Sequence, residues 1–238
     1  GMGNLHSGLS RDNTIHGTFN SLVSSCTHNR IHGASNYVSG ANFSHFFGNG
    51  NSGALSDYSF VHGESNEIRN AKNFVFGDDN IVTGRKNVIF NDENHVTGSG
   101  NFVFGVQEFS TFDDSEIQMS GDDNFVYGHD LTITGGSNNF IFGQELSLSG
   151  GRNVIFGRNN IISGNEMIVF GGGNDIQNIG GQGFNNDCFI FGSNIKATGR
   201  NMIAIGKNIV VGNSGAVIND SRYEGNQNST GKGEGSLF

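Results

Sequence analysis

NFVFGDDNIVTGRKNVIFNDENHVTGSGNFVFG, residues 73–105, places Asn at 73, 80, 87, 94 and 101 and a Gly or Asn four positions after each, at 77, 84, 91, 98 and 105. A chain that counts by sevens is building by stacking. Two five-residue blocks alternate within this count. Block A is aromatic and apolar: NFVFG at 73–77, NVIFN at 87–91, NFVFG at 101–105, NFVYG at 124–128, NFIFG at 139–143, NVIFG at 153–157, MIVFG at 167–171 and CFIFG at 188–192. Block B ends on a hydroxyl before its Gly: NIVTG at 80–84, NHVTG at 94–98, IQMSG at 117–121, LTITG at 131–135, LSLSG at 146–150 and NIISG at 160–164.

Each block is too short for a helix and rich in β-branched and aromatic residues, so it is expected to form a strand of three or four residues. Gly and Asn between blocks tolerate left-handed backbone angles and turn the chain. Two strands and two turns make one 14-residue coil, and coils of constant length stack A on A and B on B. The expected fold is all-β, a parallel β-solenoid of the β-roll type. The absence of Pro fits, because every stacked strand must donate its N–H groups. The pattern thins but persists from NTIHG at 13–17 to NIVVG at 208–212, about 14 coils, with insertions expected at 49–58, 106–116 and 179–187. Residues 1–12 are expected to be a lead-in beginning with a cloning remnant, 13–212 the roll, and 213–238 a polar tail or linker.

Composition narrows the function. The 238 residues include 39 Gly, 21 Phe, no Trp and no Pro, with a net charge of −9. Nothing resembles the basic stripe that nucleic acid requires. No apolar run is long enough to insert in a membrane as a helix. Cys26 and Cys188 are far apart and define neither a metal cluster nor a disulfide framework.

In block B only the middle residue is consistently apolar (Val82, Val96, Met119, Ile133, Leu148, Ile162), so one face of that sheet is expected to be solvated. In block A all three positions are apolar, so both faces are greasy. One face closes the roll, and the other makes a patch that calls for oligomerisation along the length, as a trimer or else as a dimer of facing sheets. The favoured assignment puts Phe74, Phe76, Phe102, Phe104, Phe140 and Phe142 in the roll core. It puts Val75, Ile89, Val103, Val126, Ile141, Ile155, Val169 and Ile190 in the subunit interface, with the reverse as the alternative. Asn73, Asn80, Asn87, Asn94, Asn101, Asn124, Asn139 and Asn153 are expected to form a structural ladder of side-chain amides.

Asn201-Met202-Ile203-Ala204-Ile205-Gly206 resembles the Asn-Ser-Val-Ala-Ile-Gly motif in the head domains of YadA-like trimeric autotransporter adhesins, and the A blocks are similar to it with Phe-Val-Phe for Val-Ala-Ile. The resemblance implies a homotrimer of left-handed parallel β-rolls on a bacterial surface, extracellular and anchored through parts outside this chain. It also implies a non-catalytic role in binding host matrix or cell-surface proteins. The alternatives are a phage fibre or secreted effector using the same roll as a receptor-binding or spacer module, and a carbohydrate-active solenoid.

Other motifs have plainer readings. Gly48-Asn49-Gly50-Asn51-Ser52-Gly53 spells GxGxxG without the strand and helix a dinucleotide needs, and is expected to be a loop insertion. GGGND at 171–175 lacks the nine-residue period of calcium-binding repeats. His16, His32 and His62 each precede a turn Gly and suit polar roll positions better than a zinc site. No cofactor, metal or catalytic constellation is expected. The hydroxyl row Thr83, Thr97, Ser120, Thr134, Ser149 and Ser163 could order water, but His95 and Gln118 interrupt its flatness.

Overall fold

The computed structural model describes residues 2–8, 11–105, 117–177, 188–199, 201–211, 217–220 and 228–229. No helix occurs among them. The chain divides into two compact units, Gly1–Asp123 and Asn124–Phe238. Each is a parallel β-solenoid, compatible with a β-roll.

In unit 1 the A blocks form one row of strands. His45–Asn49, Phe60–His62, Phe74–Phe76, Val88–Phe90 and Phe102–Gly105 follow one another in register, with Val61, Val75, Ile89 and Val103 aligned. The B blocks form the other row, through Ser52–Ala54, Glu67–Arg69, Ile81–Thr83 and Asn94–Thr97. Unit 2 repeats the plan. Its A row aligns Val126, Ile141, Ile155, Val169 and Ile190, and its B row aligns Ile133, Leu148, Ile162 and Ile176. Pairings also reach into both terminal segments: Leu5–His6 pairs with Ser21 and Leu22, and Val217–Asp220 with Ile203 to Gly206.

The coil closes because a Gly, or an Asn at Asn70 and Asn91, ends most strands with a positive φ. At Gly77, φ is 130°, and a Cβ would fall 2.2 Å from the carbonyl oxygen of Asn91 one coil on. The residue before each buried Asn takes the left-handed conformation too, and it is often not Gly: Lys72, Asp79 and Lys86 have φ of 65°, 54° and 60°. Such corners cost energy at each non-Gly position, and the ladder behind them offsets it.

That ladder is made of Asn. The backbone N–H and side-chain Nδ2 of Asn87 both donate to Oδ1 of Asn73, at 3.0 and 3.2 Å, and its Nδ2 also donates to the Gly98 carbonyl at 2.9 Å. Asn101 then donates twice to Oδ1 of Asn87, at 3.0 and 3.1 Å. Both amide hydrogens and both lone pairs of the buried side chain are thereby used. Asn80 does the same in the B row, Asn94 donates twice to its Oδ1, and in unit 2 Asn139 donates twice to Asn124 while Asn153 donates to Asn139 and to the Gly164 carbonyl. The ladder extends beyond the expected set to buried Asn36, Asn51, Asn66, Asn160 and Asn174.

The assignment of faces is corrected by the structure. Val75, Ile89, Val103, Val126, Ile141, Ile155, Val169 and Ile190 are fully buried inside the rolls. Phe76, Phe102, Phe104 and Phe142 are partly exposed on the outside, and Phe74 and Phe140 keep 37% and 38% of their surface in water. The reason is volume. The roll is two strands thick, and each coil gives its interior one aliphatic side chain from A and one from B, such as Val75 and Val82. Two Phe rings per coil would overfill it.

A second expectation also changes. Residues 49–58 are not an insertion, because Ser52–Ala54 is a regular B strand paired with Tyr37–Ser39 and Glu67–Arg69. The insertions at 106–116 and 179–187 lie outside the described residues.

Candidate interaction face

The outer surface of row A carries two columns of side chains, the first and third positions of each block. In unit 1 the first column runs His45, Phe60, Phe74, Val88, Phe102 and the third runs His16, His32, Phe47, His62, Phe76, Phe90, Phe104. Parallel in-register pairing sets each ring above its counterpart one coil away. Phe60 stacks on Phe74 at 5.2 Å, Phe76 on Phe90 at 5.7 Å and Phe90 on Phe104 at 4.6 Å, while Phe74 and Phe76 meet across the columns at 5.0 Å. Each such pair is worth roughly 0.5–1.5 kcal/mol beyond the area it removes from water.

Unit 2 builds the same face. Phe125 stacks on Phe140 at 4.9 Å, and Tyr127, Phe142, Phe156 and Phe170 form one continuous pile with steps of 5.2, 5.3 and 5.1 Å. It continues through Phe191, 54% exposed, to Ile203 and Ile205. The Ile203-Ala204-Ile205 segment, on which the family resemblance rests, has the same orientation as the Phe blocks: Ala204 is buried and Ile203 is exposed.

At the start of unit 1 the face turns polar. His16 and His32 pack at 6.1 Å, and His62 stacks on Phe76 at 5.2 Å, so these histidines continue the ring columns. Burial, with the Arg30 charge next to it, holds the His45 pKa below the ordinary histidine value.

Row B presents the opposite character. Val82, Val96, Met119, Ile133, Leu148 and Ile162 point inward as expected, and Thr83, Thr97, Ser120, Thr134, Ser149 and Ser163 lie on the solvent side. Cys26 and Cys188 are buried and form no disulfide. Among the described residues no group of three or more His, Cys, Asp and Glu side chains could hold a metal ion. No helix among them is long and apolar enough to cross a membrane.

No protein-family model matches the chain, and no curated protein matches it. Among solved structures the chain aligns with the crystal structure of the polySia-specific acetyltransferase NeuO. The alignment covers 94% of this chain and 88% of that one at 15% identity, with a TM-score of 0.12. A superposition that loose carries no argument about fold or activity.

Proposed function

We propose that the aromatic face of row A joins subunits of a homotrimer, and that the assembly is a non-catalytic adhesin head displayed on a bacterial surface. The observation that carries this reading is the run of stacked but exposed rings. Phe74, Tyr127, Phe140 and Phe191 lie on one face of their units while the interior is already filled by Val and Ile. A patch of this kind is larger than soluble monomers leave uncovered. Three copies meeting along an axis would cover it and leave row B, polar and repetitive, facing outward. The Asn201–Gly206 resemblance to YadA-like heads supports the same arrangement, with host matrix or cell-surface proteins as ligands of the outer flank.

Two measurements test the reading. Light scattering should give about three times the 25.4 kDa of the chain, and a monodisperse monomer at micromolar concentration would refute the trimer. An intact trimer that bound no matrix protein and no cell surface in an unbiased panel would refute the adhesin.

A further inference from the structure

Three consecutive glycines, Gly171-Gly172-Gly173, occupy one A-to-B corner of unit 2, and the backbone requires only the first. At Gly171, φ is 127° and a Cβ would fall 1.7 Å from the Gly192 carbonyl oxygen. Gly173 is left-handed at φ 67° and a Cβ there would lie 2.6 Å from Oδ1 of Asn194, the end of a side chain that can move, and the same corner position is taken by Glu145, Asn159, Asn194 and Asn208 at 49–57°. Gly172 is not left-handed, and a Cβ there would meet Arg158 O at 3.1 Å and Arg158 Cγ at 3.4 Å, a tight fit that a small shift relieves. The equivalent positions one coil either side carry Arg158 and Ser193. Two side chains are therefore missing where the fold allows them. Their absence opens a groove of about 710 Å³ over the three glycines, walled by Phe142, Gln144, Arg158, Asn159, Ser193 and Asn194. That volume is within the usual range for small-ligand sites, roughly 300–1,000 Å³.

The charged group that faces the groove is a cation, while Asn194 donates its NH2 to Asn208 and turns its oxygen over Gly173. No carboxylate lines it. Arg158 is exposed and makes no ion pair among the described residues, whereas Arg152 is bound to Glu166 at 2.6 Å. At corresponding corners of unit 1 the N–H of Glu64 and of Asp78 donates to the carboxylate of Asp78 and of Asp92 one coil on, at 2.6 and 2.7 Å. The Gly172 N–H has no such acceptor among the described residues. Phe142 is stacked on both sides, by Tyr127 and Phe156, so it turns its edge outward, the positive part of an aromatic quadrupole. The side-chain amides and the Ser193 hydroxyl add donors and acceptors at fixed spacing. In a chain of net charge −9 this is an acid-free notch with, among the described residues, one unpaired cation at its wall.

We propose that this groove binds a carboxylate-bearing sugar unit of an acidic polysaccharide. The Arg158 guanidinium would take the carboxylate as a two-pronged pair, and Asn159, Asn194 and Ser193 would hold the ring hydroxyls. A peptide is disfavoured, because the groove offers no unpaired strand edge. The site lies within unit 2 at the edge of the aromatic face, to which its Phe142 wall belongs, so assembly is followed alongside binding.

The test is calorimetric titration of the full chain with trigalacturonate, trimannuronate and a hyaluronan tetrasaccharide, with trigalacturonate methyl ester and a triaspartate peptide as controls. Light scattering on the same sample reports assembly separately. At least one acidic oligosaccharide should bind saturably. Esterification, Arg158→Gln and Gly172→Gln, which refills the notch, should each weaken it about tenfold or more with the melting temperature unchanged for Arg158→Gln. Absence of saturable binding by all three oligosaccharides would overturn the proposal. So would binding indifferent to Arg158→Gln, or equal affinity for triaspartate.

Discussion

The first coils of unit 1 and the last ones obey different counts. Register steps from Thr14 to Arg30, His45 and Phe60 are 16, 15 and 15 residues, whereas those from Phe60 to Phe74, Val88 and Phe102 are 14 each. The additional residues build a short third side at the B-to-A corner. Arg11, Thr27 and Asn42 bridge in parallel there, and Cys26, Ala41 and Ser56 are buried behind it. His28, Phe43 and Tyr58 stack along its outer edge at 4.6 and 5.1 Å.

The wider coil has room for something the narrow one excludes. Phe46 is fully buried in the row where Ile31 and Val61 precede and follow it. It fits because the B-row position facing it is Gly53, where a Cβ would lie 2.3 Å from the ring. One of these wide coils exchanges the aliphatic pair, kept as Ile31 and Val38 in the coil before it, for a Phe–Gly pair, and the Asn ladder partly for serines: Ser44 Oγ donates to the Ser56 carbonyl, and Ser44 and Ser59 take ladder positions. Coil length widens what the interior can hold, an aliphatic pair or a Phe–Gly pair.

The largest effect should come from reversing a face in the narrow coils. Val103→Asp puts a charge with no partner into a dry two-strand interior and should unfold unit 1, read as loss of the strand signal in circular dichroism. Phe76→Asp, one residue out of phase with the interior, should leave that signal intact and convert the proposed trimer to a monomer by light scattering. If Phe76→Asp unfolds the chain while Val103→Asp only dissociates it, the packing argument fails.

Next in size is the ladder. Asn87→Ala takes one of two donors from the Asn73 oxygen and strands the Gly98 carbonyl and two donors of Asn101 inside the roll, and should cost about 2–3 kcal/mol in urea unfolding. Ser44→Ala in the wide coils breaks fewer bonds and should cost less. Equal costs would mean the amide chain is no more cooperative than isolated bonds.

The period, the Asn positions and the turn glycines were all legible in the sequence. The inside of row A was not, because three apolar residues in succession carry no polar contrast. The missing signal was parity. In block B, Asn80 and Val82 share a face, and the inward Val is evident because Ile81 is replaced by His95 one coil on. The same rule applied to Asn73 gives Val75 inside and both Phe outside. The GxGxxG at 48–53 was misread for a related reason: an enlarged coil looks like a loop when a 14-residue count is imposed on it.

A smaller effect follows from the Phe46–Gly53 pair. Gly53→Val should overpack the wide coil and cost roughly 1–3 kcal/mol. Adding Phe46→Val should recover most of that loss, because the double variant restores the Val–aliphatic pairing of the narrow coils. Additive losses in the double variant would show that the third side, rather than the ring, dictates the Gly.

The smallest effect separates the polar and aromatic ends of the outer column. His45 occupies the position that Phe60 fills one coil later, and burial with the Arg30 charge beside it lowers its pKa in the folded chain. The unfolded chain therefore holds the proton over the window between that lowered value and the ordinary 6.5. Stability contributed by neutral His45 is fully present above 6.5 and falls as pH drops through that window. His16, His32 and His62 share the face, so only a difference isolates the one residue. His45→Phe, which extends the Phe60 column, should retain more of its melting temperature than the parent when both are taken from about pH 7.5 to about pH 5.5. Parallel curves would show that the Arg30 side chain turns away to solvent and that His45 pays nothing for its place in the column.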